Sequence, residues 1–333
     1  MSDPNSEFQP PPPPAIEAEP ARPRPMNLMW AGIALIVIGI IIVALGIPGI
    51  ALIIGGIGTG AAVCALGVLL FAFSFIRLPA VKDPPPRMST AATLTGIFFE
   101  PTSVFRNLRA HPQWIAAILI IGIVNAAYIT AFTHRLTPER ILNFTADKMA
   151  ETPFIPPEAV ERARTQGTEQ AKSATFQAGT AVKAIVGHFF GVGFIAALCL
   201  LGVMAFGGRM HYWQTYAVCA YVTLPVVLIQ KVISFIILYL KSPDDIHPLI
   251  GQESLVYDNF GLLVSSKDHP VLYVVATTIG VLSLYRLWLT ATGLREGGYK
   301  VSSSAAWGVT ITLFVLFLLF GMAIAAIFPS FLG

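Results

Sequence analysis

The sequence predicts an all-α fold, a polytopic helical membrane bundle of about seven transmembrane helices, and three observations carry that reading. Of 333 residues, 55% are hydrophobic and only 12% charged, with a mean hydropathy of +0.71. That balance lies far outside an ordinary soluble domain. The chain also contains repeated uncharged runs long enough to cross about 30 Å of hydrocarbon as helices. Finally, glycine- and proline-rich breaks (Pro48-Gly49, the linker VKDPPPR, the pair Gly207-Gly208) separate these runs. The lipid bilayer is therefore the first partner the composition implies.

The elements follow in order. Residues 1–25 hold nine prolines and almost no apolar periodicity, so they cannot bury a core and are expected to form a disordered, solvated tail. Residues 26–80 are expected to form a transmembrane hairpin. Its first arm, LMWAGIALIVIGIIIVALGI from Leu28, is too long for a signal-peptide core and reads as a span. The Pro48-Gly49 turn leads to a second arm from about Ile50 to Ile76. Within it GGIGTG lacks the preceding strand of a phosphate loop, and Gly56 and Gly60 read instead as a small-residue step for close helix approach. A similar step is expected at Gly187 and Gly191. Further spans are expected at about Trp114–Phe132, Ala184–Phe206, Tyr216–Leu240, Val271–Thr290 and Trp307–Phe328.

Two connecting stretches carry helix signals of their own. In EPTSVFRNLRAHPQW, Val104, Phe105 and Leu108 share one helical face and Arg106 and Arg109 the other. That amphipathic pattern suits a helix lying in the headgroup layer or packed on the bundle, with Phe105, Leu108, Arg106 and Arg109 as candidate contacts to a partner or to lipid. The connection at 134–183 should form two short extramembrane helices: Thr137-Pro138 and Pro156-Pro157 are both start signals followed by acids.

Loop charges set an expected orientation. One side carries Arg22 and Arg24 in the tail, five basic residues between Arg77 and Arg109, Arg209 in the hinge, and Arg286, Arg295 and Lys300. The loop from Lys241 to Pro270 has two basic residues against five acids. The positive-inside rule then places the N-terminus in the cytoplasm and the C-terminus outside, in the cytoplasmic membrane if the chain is bacterial. The 134–183 connection, rich in both signs, dissents without reversing the assignment.

Ionisable residues inside spans are the default functional candidates, because each is costly at mid-depth. Lys231 is the clearest. His188 and Asn125 are weaker, each more often a helix-packing hydrogen bond than a ligand. Pro225 removes a backbone donor inside the fifth span and is expected to kink it, freeing carbonyls. In the hinge GGRMHYWQTYAVCAYVTLP, Gly207-Gly208 permit a tight reversal, Arg209 anchors it at headgroups, and Tyr212 and Trp213 suit the interfacial belt. No Asp or Glu falls inside an expected span, which disfavours an ion-coupled carrier. No HExxH, GxSxG, paired carboxylate or Cys/His cluster is present. The three cysteines have no paired spacing. The sequence thus offers no catalytic, cofactor or metal site, and its small, dispersed net charge of +3 gives no nucleic-acid footprint.

Three stretches together carry a resemblance. They are FFEPTSVFRNLRAHPQWIAAILI, with Pro101, Phe105, Pro112 and Trp114; the hinge, with Gly207, Gly208, Gln214, Tyr221, Leu224 and Pro225; and LWLTATGLREGGYKVSSSAAW, with Gly293, Leu294, Arg295, Glu296 and Ala306. In this order they resemble the Yip1 domain, particularly its bacterial versions, over residues 93–330. The resemblance implies a five-helix membrane domain with a cytosolic N-terminal side, to which the hairpin is an addition. It also implies a non-enzymatic role as a scaffold or organising partner in membranes, with other membrane proteins or a second copy as partners. Eukaryotic relatives bind small GTPases, but the Asp-Leu-Tyr-Gly-Pro motif they carry is missing here, so that role does not transfer. The alternative is a transporter or channel whose path is lined by Lys231 and the Pro225 kink.

Overall fold

The structure is a computed structural model that describes residues 24–25, 28–45, 56–78, 84–151, 155–171 and 174–329. Most of the tail and the Pro48-Gly49 turn lie outside the described residues. The fold is all-α. Its strand content among the described residues is one two-residue antiparallel pairing, Arg24–Pro25 with Arg77–Leu78, which ties together the two outer ends of the hairpin.

Helices α1 (Met29–Leu45) and α2 (Gly56–Phe73) form that hairpin. A Cβ built on Gly32 would lie 2.6 Å from the Phe71 backbone nitrogen, and one on Gly39 2.6 Å from that of Cys64. On the other arm Gly60 and Gly67 meet Val43 and Ile36 equally closely. The backbones therefore touch where each helix offers a glycine every seven residues, a spacing that keeps both glycines on one face. Of the expected Gly56/Gly60 step, Gly60 lies in this contact.

The remaining chain begins with α3 (Thr90–Phe99) and α4 (Pro101–Ala110), which are separated at Glu100, where Pro101 opens the second helix. Among the described residues, four helices are long and apolar enough to cross a membrane: α5 (Ile115–Leu136), the Val182–Ala205 part of α8 (Ala174–Ala205), α9 (Tyr212–Leu240) and α12 (Ser303–Ile327). Between α5 and α8 lie the two expected short helices, α6 (Pro138–Ala150) and α7 (Pro157–Ala171), clipped together by Arg164 to Asp147 at 2.7 Å. Pro138 takes the first helical position as expected; Thr137 adopts φ 66° and makes no side-chain cap.

The expected sixth span is not one helix. It divides into α10 (Pro270–Thr278) and α11 (Val281–Gly297), with Ile279 and Gly280 extended between them. Asp258 enters this break from the preceding loop: its carboxylate accepts from the Leu282 backbone N–H at 2.7 Å, supplying the N-terminal cap that a new helix needs. A Cβ on Gly280 would lie 2.9 Å from that carboxylate, so only glycine leaves room for it. Hydropathy could not register the break, because the run stays apolar across it.

Helix α9 is the centre of the bundle, packed against α4, α5, α8 and α11, and Ala217, Val218, Ala220, Tyr221 and Leu224 are all buried. Its N-terminal end and the turn at Gly298–Lys300 define one face of the bundle, here the hinge face. The opposite loop face is capped by residues 241–269. That loop is held inward by Tyr128, whose hydroxyl donates to the Gly251 carbonyl at 2.7 Å, and by Ser234, whose hydroxyl accepts from the Leu255 N–H at 3.1 Å. Ile246 and Leu255 complete a small apolar core with Phe132, Leu136 and Leu238.

Candidate functional site

The hinge is built from local backbone requirements. Gly207 has φ +79°, a conformation that favours glycine, and a Cβ on Gly208 would meet Val203 at 2.8 Å and Val301 at 2.9 Å. The chain then pairs with the turn after α11: Arg209 N–H donates to the Tyr299 carbonyl at 2.9 Å and Tyr299 N–H to the Arg209 carbonyl at 2.7 Å. Gln214 fastens the start of α9. Its Oε1 accepts from the His211 N–H at 2.8 Å, and its Nε2 donates to the Arg109 carbonyl at 2.6 Å. The same side chain thus caps α9 and holds the last turn of α4.

Helix α4 completes the junction. Arg106 pairs with Glu296 at 3.0 Å, and Arg295 with the same carboxylate at 2.7 Å. Burial opposes ionisation of Glu296, but hydrogen bonds from Arg295 and Arg106 outweigh it and hold its pKa below the ordinary carboxylate value. Arg109 lies over the Tyr299 ring, 4.7 Å from its centroid. His211 has its pKa lowered by burial. Beneath these groups is an aromatic layer in which Trp114 stacks on Trp213 at 5.4 Å and meets Tyr216 edge-on at 5.0 Å. The outer rim is basic: Arg106, Arg209, Arg295 and Lys300 are exposed.

Several expected contacts change sides. Phe105 and Leu108, expected to meet a partner or lipid, are fully buried; Phe105 packs where Gly293 and Gly297 of α11 leave space. The hydrophobic face of α4 therefore meets the bundle, and the apolar groups this segment turns outward are Phe98 and Phe99. Tyr212 is likewise a core residue, not a belt residue, and its hydroxyl donates to the Gly193 carbonyl at 3.1 Å. Amphipathicity locates a buried face without saying what covers it.

The intramembrane candidates are not brought together. Lys231 lies near the loop face, 4% exposed, donating to the Gln252 and Glu253 carbonyls above the Tyr128 ring. Asn125 donates to Ile121 of its own helix at 2.9 Å. His188 Nδ1 is hydrogen-bonded to the Ala184 carbonyl at 2.8 Å, and its ring lines a cavity between α5, α8, α9 and α11 that neither Lys231 nor Pro225 lines. Helix α9 runs unbroken through the buried Pro225. Gly187 and Gly191 pack against nothing within 4 Å and line the same cavity instead of a close helix contact. Sequence reading missed Lys183 and Arg286 on that cavity, and Asp258 at the helix break.

The fold and this junction define a class: a helical integral membrane protein organised around one central helix, with segments far apart in sequence locked together at one face. A family model described as the Yip1 domain matches residues 95–325, and the chain belongs to that family. Neither the curated proteins nor the solved structures compared with it give a match. The segments that carry the resemblance are the ones that converge: Arg106 and Arg109 from the first, Gln214 from the second, Glu296 from the third.

Proposed function

We propose that the protein is a non-enzymatic membrane scaffold, organising other membrane proteins or copies of itself through the hinge face, with that face and the N-terminus cytoplasmic and the C-terminus outside. The observation that carries this reading is the junction itself. Gln214, Glu296 and the Arg209–Tyr299 pairing fix three separate segments, and the exposed side chains around them form the basic rim of Arg106, Arg209, Arg295 and Lys300, of which Arg106 and Arg295 share one carboxylate. A rigid basic surface suits acidic segments of partners, and its charge agrees with the positive-inside rule. A transport path through Lys231 and Pro225 has less support, since Lys231 is spent on the loop carbonyls and the two do not share a cavity.

A photocrosslinking residue at the exposed Ser103 in native membranes tests the reading. Saturable protein adducts, lost when Arg106 and Arg295 are both changed to Glu, are expected, together with no solute flux above empty vesicles in liposomes. Flux abolished by Lys231→Leu, or adducts indifferent to reversal of the rim charge, would overturn it.

A further inference from the structure

The cavity between α5, α8, α9 and α11 encloses about 480 Å³ and is unlike the rest of the intramembrane surface. Three basic side chains, Lys183, His188 and Arg286, line it, with Thr223 and Thr290 beside them and apolar walls that include Ile195 and Val227. Lys183, Gly187, Gly191 and Arg286 are exposed, so the cavity opens on the side of the bundle toward lipid. The glycines make the opening: neither position has anything within 4 Å of where a Cβ would be.

Among the described residues no carboxylate pairs with the charges in this cavity; Asp258, which reaches α11 one turn before Arg286, accepts from the Leu282 N–H instead. Arg286 lies eleven residues before the end of α11 at Gly297, about 16 Å at ~1.5 Å per residue, which is near mid-depth in a core of about 30 Å. The helices that line the cavity contain no Asp or Glu except Glu296 at the far end of α11, and that carboxylate is held by Arg106 and Arg295. Among the described residues neither Arg286 nor Lys183 has an ion-pair partner. An unpaired guanidinium at this depth is expensive, and a counterion drawn from the surroundings relieves the cost. Lys183 is 22 residues before Ala205 on α8, about 33 Å along the helix, near the membrane boundary at the loop face. Positive charge therefore runs from that boundary inward to Arg286.

We propose that this cavity binds one anionic phospholipid from the leaflet at the loop face, with its phosphodiester at Lys183 and His188, reached from deeper in the cavity by the long side chain of Arg286, and an acyl chain along the Ile195 and Val227 wall. Arg matches phosphate oxygens in a bidentate fork, and the sideways opening admits a chain that stays in the bilayer. A zwitterionic lipid carries its own cation into a site that is already cationic, so the headgroup favoured is one with net negative charge.

Native mass spectrometry of the full chain in detergent tests this, with phosphatidylglycerol, phosphatidylcholine, diacylglycerol and inorganic phosphate as probes. One phosphatidylglycerol should be retained about tenfold more strongly than phosphatidylcholine or diacylglycerol, the scale of a lost charge-assisted contact, and millimolar inorganic phosphate should not compete. Arg286→Gln should weaken retention about tenfold, and so should Gly191→Phe, which fills the opening without changing charge. Lys267→Gln, an equal charge change in the exposed loop, should leave retention unchanged. If Arg286→Gln fails to fold, Gly191→Phe decides the matter alone. Equal retention of phosphatidylcholine, or undiminished retention in Gly191→Phe, would refute the site; competition by inorganic phosphate would make it a site for the free anion and refute the lipid.

Discussion

Gln214 is the most consequential polar side chain at the hinge face, and its replacement gives a quantitative test of the junction. It is 5% exposed and makes two hydrogen bonds, accepting from His211 N–H at 2.8 Å and donating to the Arg109 carbonyl at 2.6 Å. Gln214→Leu leaves one backbone donor and one backbone acceptor without a partner. Each unsatisfied group costs about 1–3 kcal/mol, so the substitution is expected to destabilise the fold by about 2–6 kcal/mol. Gln214→Glu separates the two bonds. The carboxylate still accepts from His211, but it sets a charged oxygen against the Arg109 carbonyl. Protonated, it donates to that carbonyl and restores the pair. Burial and the facing carbonyl both raise the folded-state pKa of the introduced acid. The neutral form is the stabilised one, so the stability of Gln214→Glu should be highest at low pH and be lost as pH rises through the raised value. Equilibrium unfolding of the purified protein in mixed detergent, followed by the fluorescence of Trp114 and Trp213, reads both variants against wild type over a pH series. A Gln214→Leu protein within about 0.5 kcal/mol of wild type, the scatter of neutral surface changes, would refute the bridging role. So would a Gln214→Glu protein with the wild-type pH profile.

Three further outcomes follow from the same geometry. Lys231→Leu removes the donor to the Gln252 and Glu253 carbonyls and should loosen the 241–269 cap by about 1–3 kcal/mol, seen as faster hydrogen exchange in that loop while α5 and α9 stay protected; unchanged loop exchange would show that the carbonyls find other partners. The His247 Nδ1 accepts from the Leu249 and Ile250 N–H groups, and burial, with Lys148 adding to it, lowers its pKa. Because the folded value lies below the unfolded one, its contribution is fully present above about 6.5 and declines as pH falls toward the lowered value. Exchange at Leu249 and Ile250, corrected for the intrinsic rate, should rise over that interval, and His247→Asn should flatten the response. Gly39→Ile places a branched side chain where Cα of Cys64 lies 2.8 Å from the glycine's own Cβ direction. It should cost about 1–3 kcal/mol through overpacking and make the half-buried Cys64 more reactive to maleimide; unchanged Cys64 labelling would contradict the glycine contact.

Much of the fold was legible in the sequence because its determinants are one-dimensional. Uninterrupted apolar length marks α5, α8, α9 and α12, proline with following acids marks α6 and α7, and the three family segments identify the Yip1 domain by their own residues. The features that escaped are those that depend on what lies opposite. The amphipathic stripe of α4 revealed that Phe105 and Leu108 seek an apolar surface, but only packing showed that the surface is α11, where Gly293 and Gly297 make room. The GxxxG spacing is present at Gly187 and Gly191 as at Gly60, yet one pair borders an open cavity and the other residue touches a helix; spacing fixes the face and not its neighbour. Gly280 broke an apolar run that hydropathy reads as continuous, because the cause is Asp258, 22 residues earlier. Lys231 read as an isolated mid-membrane charge, since nothing local shows that the 241–269 loop folds back to offer it carbonyls. The sequence by itself determined most of the helices, their solvent and the family, because length, hydropathy and turn chemistry act along the chain. Tertiary structure alone decided which polar groups are satisfied and which, like Arg286, are left facing a cavity, because hydrogen bonds and ion pairs join residues that only folding brings within 3 Å or so of each other.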